Sequence, residues 1–234
     1  MLRASNRELS AQRSAERTDT EQRVLMEALK LFAAHGFNAT SMRMICAAAD
    51  ANPSSVYYYF GSKRGVLRGV CEFLFEPVQR ERAELLAKAM AKSAGSQLDL
   101  HAILAAFIGP AIRLARHPRL GRLFNRLAGH LSTDPTPDVR TVIARIHDTA
   151  ARDFIQAVRK ACPDLADERL FIALQCTFGV LLYAQSDPGR IAQLSGLEST
   201  HVHPDQLIEL VVRYTAGGLQ ALAASTGGGG TRPE

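Results

Sequence analysis

Apolar positions recur at helical spacing along almost the whole chain, and the alternating polarity of a half-buried strand is hard to find. From Thr18 onward, Val24, Ala28, Leu31 and Phe32 trace one buried face, and Thr18 with Glu21 makes a Thr-x-x-Glu capping box at its start. Gly36 predicts the end of this helix, because glycine takes the left-handed C-terminal position without steric cost. Phe37 then plugs a small core. Met42, Ile45, Cys46 and Ala49 follow at i, i+3, i+4, i+7, which predicts a short helix with Thr40 as N-cap and Arg43 facing outward. Asp50 falls where a left-handed residue is expected. Asn52 is a good N-cap, and Pro53 suits the first helical position, where its missing N–H costs nothing. The helix from Ser54 to Phe60 turns Val56 and Phe60 inward and leaves Ser54, Ser55, Tyr57 and Tyr58 outside. Ser62 caps a fourth helix that continues through Leu67, Val70 and Phe73.

From about residue 82 the pattern predicts helices near 82–92, 98–116, 119–131, 139–161, 167–185 and 204–224, broken by Gly-, Pro- and Asp-rich segments. The fold expected is all-α: an N-terminal three-helix helix-turn-helix domain and a C-terminal helical domain. The limits expected are a flexible arm at 1–17, a helix-turn-helix domain at 18–66, a further helical domain at 67–225 and a flexible tail at 226–234. The arm is polar, and Arg3, Arg7, Arg13 and Arg17 make it a candidate to reach DNA.

At 234 residues the chain has room for a proper core. A formal charge of +5 suits an anionic partner without naming one. Cys46, Cys71, Cys162 and Cys176 lie in helical patterns without metal-ligand spacing and read as small buried hydrophobes in a reducing compartment. His101, His117, His130 and His147 are scattered, so no metal or cofactor is expected. No nucleophile motif or phosphate loop is present, and no enzymatic activity is expected. The most apolar stretch, Leu170 to Ala184, is shorter than the ~20 residues of a membrane span. With no apolar leader at the start either, the expected location is the cytoplasm, with no membrane partner.

Residues 40–63, TSMRMICAAADANPSSVYYYFGSK, carry the chemistry. Two short helices joined by a tight turn form a helix-turn-helix, and the second is sized to enter a DNA major groove. Arg43 suits a guanine edge or a phosphate, and Ser54, Ser55 and Tyr57 can donate to bases or phosphates. Tyr58 is expected on the backbone, and Lys63 at the positive end of the next helix as a phosphate anchor.

The longer run HGFNATSMRMICAAADANPSSVYYYFGSKRGVL resembles the N-terminal domain of TetR-type transcriptional regulators, ungapped over roughly residues 20 to 70. It shares their Gly-Phe turn and their Tyr-x-x-Phe-x-Ser-Lys ending. Asp50 replaces the common turn glycine, and Met44 stands where an acidic residue is frequent. The resemblance implies operator contacts at Arg43, Pro53, Ser54, Ser55, Tyr57, Tyr58 and Lys63, with Asn52 as the cap that presents them. It also implies a homodimer on a palindromic double-stranded operator. RLFIALQCTFGVLLYA resembles the branch of the family that senses fatty acids or acyl-coenzyme A.

Arginines outnumber acids between residues 113 and 152, and wide apolar faces lie nearby. An elongated apolar effector with an anionic head fits that pairing, with Phe107 and Phe178 against its body and Arg126 and Arg145 at its head. The function expected is a repressor released from its operator by such a molecule. The alternative is a DNA-binding protein whose helical domain docks a protein partner.

Overall fold

The computed structural model describes the backbone of residues 2–92, 98–186, 190–196 and 202–224, and the side chains within them from Asp19 onward except that of Arg190. These residues fold into α1 (Leu2–Ala39), α2 (Met42–Ala48), α3 (Pro53–Phe60), α4 (Lys63–Lys92), α5 (Leu100–Ala115), α6 (Gly121–Thr133), α7 (Pro137–Ala161), α8 (Asp167–Ser186), α9 (Arg190–Ser195) and α10 (Pro204–Ala224). No strand occurs among the described residues. The expected tail at 226–234, the arginine side chains of the arm and the breaks at 93–96 and 187–189 lie outside them.

Several elements depart from the sequence-based expectation. α1 begins at Leu2 instead of Thr18. Residues 2–17 contain neither Gly nor Pro, so nothing in them stops a helix that Val24 and Phe32 anchor further on. α4 is one helix of 30 residues that passes through Pro77, where two helices were expected. Pro77 removes one backbone bond, a loss that packing on both sides outweighs. Within it Leu74 turns inward and Phe73 outward. α9, six residues long, had no counterpart in the pattern. Cys46 and Cys71 are buried as expected, whereas Cys176 is exposed on α8.

The chain divides into two compact units that do not follow a single cut. One comprises Met1–Phe75 with Arg126–Ile146, the other Glu76–Asn125 with His147–Glu234. In the first, α1 packs on α2 and α3 around Val24, Leu29, Phe32, Phe37, Ile45, Val56 and Leu67. The Phe32 and Phe37 rings lie 5.9 Å apart. An eight-residue helix such as α3 is marginal alone. Burying Val56 and Phe60 supplies about 1.5–3 kcal/mol each and holds it. The α6–α7 corner joins this unit: Asn38 Nδ2 donates to Thr136 Oγ1 at 3.0 Å, and Arg64 pairs with Asp138 at 3.1 Å.

In the second unit α5 is the central helix, apolar nearly all round, with α8 and α10 packed on it. Asp99 caps it by accepting from the His101 and Ala102 N–H groups at 2.9 and 3.2 Å. Phe107 stacks on Phe154 at 4.1 Å between ring centroids, and Phe178 meets Phe107 edge-on at 5.4 Å. Outer faces of α8 and α10 leave Phe171, Ile172, Tyr183, Leu210 and Tyr214 exposed.

Candidate nucleic-acid interface

The reading helix is set by its caps. Asn52 is extended, and its side-chain oxygen accepts from the Ser54 N–H at 2.9 Å, with Pro53 first in the helix. Asp50 carries the positive φ, 45°, that the turn needs. At the other end of α2 the N-cap is Ser41, which accepts from the Met44 N–H at 3.2 Å, and not Thr40. Thr40 is buried, and its hydroxyl donates to the Gly36 carbonyl at 2.8 Å, a group orphaned where Gly36 (φ 76°) kinks α1. With two adjacent hydroxyl residues, only burial decides which one caps.

Gly65 fixes how closely α4 follows α3. A Cβ there would lie 1.8 Å from the Phe60 carbonyl oxygen, so no other residue fits the approach. Ser62 starts α4 as expected, its Oγ accepting from the Gly65 N–H at 3.2 Å.

Val56 and Phe60 face the core, which forces the opposite side of α3 outward. Tyr57 is 51% exposed and Tyr58 74%, with Ser54 exposed and Ser55 half-buried. Tyr58 rests edge-on against Tyr59 at 5.5 Å, which restricts its ring. Arg43, exposed on α2, and Tyr57 border an open groove of about 570 Å³ with Asn52 and Pro53. α3 holds no acidic residue, and Asp50 is the one carboxylate on the groove. Such a surface presents hydroxyl donors and a guanidinium to an anionic partner.

Lys63 is placed differently from the expectation. It is half-buried, and its ammonium donates to the Phe37 and Thr40 carbonyls, both at 2.9 Å, while lying 4.3 Å from the Phe37 ring centroid. Two of its three donors close the end of α1, which leaves one for a phosphate. Chain spacing gives no hint of this, since the partners lie 26 and 23 residues away.

The four expected effector residues divide between the two units. Phe107 and Phe178 belong to the second unit and touch each other there, while Arg126 and Arg145 belong to the first. Both arginines are exposed, since amphipathic spacing shows which face is polar and not what that face meets. Arg145 borders a recess of about 280 Å³ with Ser62, Arg64, Arg68 and Thr141. Among the described residues of the second unit the buried cation is Arg82, a residue sequence reasoning passed over because an arginine in a polar run reads as solvated. No cluster of metal-ligating side chains occurs among the described residues, and none of their helices is long and apolar enough to cross a membrane.

Residues 24–70 match the family described as bacterial regulatory proteins, tetR family, and residues 105–218 match the tetracyclin repressor-like C-terminal domain. The HTH-type transcriptional repressor NicS of Pseudomonas putida is 32% identical over 66 residues, 28% of this chain and 31% of that protein. The chain thus matches about a third of the length of this curated relative. A TetR family transcription regulator from Marinobacter aquaeolei superposes with a TM-score of 0.58 at 19% identity, covering 88% of this chain and 97% of that one. The SmeT–triclosan complex gives 0.51 at 18% identity, covering 85% and 90%. At these identities the solved structures speak for the fold alone.

Proposed function

The chain belongs to the TetR family of DNA-binding transcriptional regulators, and from that premise we propose that it is a homodimeric repressor released from a palindromic operator by a small hydrophobic, anionic molecule. The observation that carries the DNA side is the outer face of α3, where Ser54, Tyr57 and Tyr58 stand exposed beside Arg43 with no acid on the helix. Asn52, Pro53 and Ser55 set the helix entry, and Lys63 offers its remaining donor to a phosphate.

One eight-residue helix contacts too few bases for useful specificity, so two copies are needed. The exposed apolar residues of α8 and α10 supply the face on which the copies meet, and a two-fold axis demands an operator with two half-sites about 34 Å apart. A regulator of this kind works in the cytoplasm and needs no catalytic group. SmeT holds triclosan in the same fold, which supports a small-molecule effector here. Linkage sets the condition: the effector must bind the DNA-free form more tightly than the operator-bound form. Genome-wide mapping of bound DNA is the test. Enrichment of palindromic half-sites supports the reading, and uniform low-level binding sinks it.

A further inference from the structure

Arg82 stands 8% exposed in the second unit, and no carboxylate pairs with it among the described residues. The acids nearest in sequence to it and to its neighbour His147 are committed elsewhere, Glu81 to Arg113 at 2.5 Å and Asp148 to Arg152 at 3.5 Å. Its Nε donates to the Phe107 carbonyl at 2.8 Å and one terminal nitrogen to Gln79 Oε1 at 3.3 Å. The other terminal nitrogen, Nη2, has no acceptor among the described residues. Nη2 is not fully enclosed and so faces accessible space. A buried guanidinium left uncompensated is costly, and that cost is characteristic of binding sites.

Around this charge the unit is aromatic and neutral. The guanidinium lies 3.9 Å from the Phe107 centroid, and Phe154 covers the opposite face of that ring. Phe178, 38% exposed, completes the trio. Gln79 Nε2 and His147 Nδ1 lie 2.6 Å apart beside Arg82. Burial and the Arg82 charge push His147 down to about 4, so it adds no positive charge at neutral pH.

We infer that Arg82 binds the carboxylate of a monoanionic effector whose apolar body lies against Phe107, Phe154 and Phe178. This rests on the effector-responsive reading proposed above and replaces Arg126 and Arg145 as the head-group partners. One guanidinium balances one negative charge, and its planar fork matches a carboxylate. A coenzyme A thioester, with several phosphates, would need cations that this centre does not have.

The test uses full-length protein and a series of saturated carboxylates from butyrate to dodecanoate, with benzoate, each matched to its primary alcohol. Melting temperature and calorimetric titration are read on the wild type, Arg82→Met and Arg82→Lys. Expected are carboxylate binding by the wild type, none by the matched alcohols, and affinity at least about tenfold weaker in either variant. The inference is overturned if alcohols bind as well as acids, if both variants keep carboxylate affinity, or if no acid binds. The wild-type comparison of acid with alcohol decides even if a variant misfolds. Release of operator by an uncharged molecule, unchanged in Arg82→Lys, would leave the effector-responsive reading intact and remove the carboxylate.

Discussion

The Lys63 ammonium donates to the Phe37 carbonyl at 2.9 Å and covers the ring of the same residue at 4.3 Å. One side chain therefore satisfies a carbonyl at the end of α1 and seals the aromatic edge of the N-terminal core. It also ties the first residue of α4 to the end of α1. Lys63→Ala should lower the stability of the N-terminal unit by about 1–3 kcal/mol, because the Phe37 and Thr40 carbonyls lose their charged donor. Urea denaturation followed by circular dichroism checks this. An unchanged midpoint, with operator affinity reduced for all sequences alike, would return Lys63 to a pure phosphate contact.

Tyr57→Ala should leave stability nearly unaltered, since the ring is 51% exposed. Its effect belongs in specificity, with a loss on the order of 1–3 kcal/mol between operator and scrambled DNA. Fluorescence anisotropy against both duplexes measures the difference. Equal losses on the two would show that Tyr57 touches only the backbone.

Gly65→Ala places a methyl group 1.8 Å from the Phe60 carbonyl oxygen, and that oxygen cannot move without α3. The expected cost is about 3 kcal/mol, together with loss of operator binding while the helical second unit stays folded. Hydrogen exchange resolved by residue would locate the damage. Protection unchanged in α3 counts against the close approach described here.

His147 gives the fold a pH dependence of definite sign. Burial, then the Arg82 charge, hold its proton affinity down to about 4 in the folded chain, with Asp148 opposing, against 6.5 when unfolded. Below pH 6.5 the unfolded chain takes up a proton that the folded chain refuses, so stability falls as pH drops toward 4. Above 6.5 both states are neutral at this residue and the effect is absent. The loss is up to roughly 3 kcal/mol and should vanish in His147→Gln. Urea midpoints between pH 4 and 8 for both proteins provide the comparison, and parallel slopes would refute it.

Tyr214 stands 72% exposed on α10, and Gly217 and Gly218 offer open space beside it. Tyr214→Asp is therefore harmless to a monomer and harmful to a pairing face. Dimer dissociation should strengthen by at least about tenfold, with operator affinity falling in parallel. Sedimentation velocity at micromolar concentration reads it, and a variant as dimeric as the wild type would move the pairing face away from α10.

Local patterns were enough for much of this protein. Helical periodicity located α2, α3, α5, α7, α8 and α10, because a face that must be buried repeats every three or four residues whatever it packs against. Asn52, Pro53, Asp50 and Ser62 announced the turns, since caps and left-handed positions depend on neighbours within four residues. The outward set on α3 followed directly from where Val56 and Phe60 had to point. Other features depend on contacts distant in sequence. Thr40 yielded the capping role to Ser41 because the kink at Gly36 left a carbonyl for it to satisfy. Lys63 turned inward because the end of α1 came within reach of its ammonium. Phe107 and Phe178 met because α5 and α8 pack on each other within the second unit. Arg82 became the buried cation because the Phe107 ring and carbonyl arrived beside it from 25 residues away. Periodicity shows that a side chain faces inward or outward, whereas the charge balance of a buried site depends on which helices meet there, and only the tertiary structure decides that.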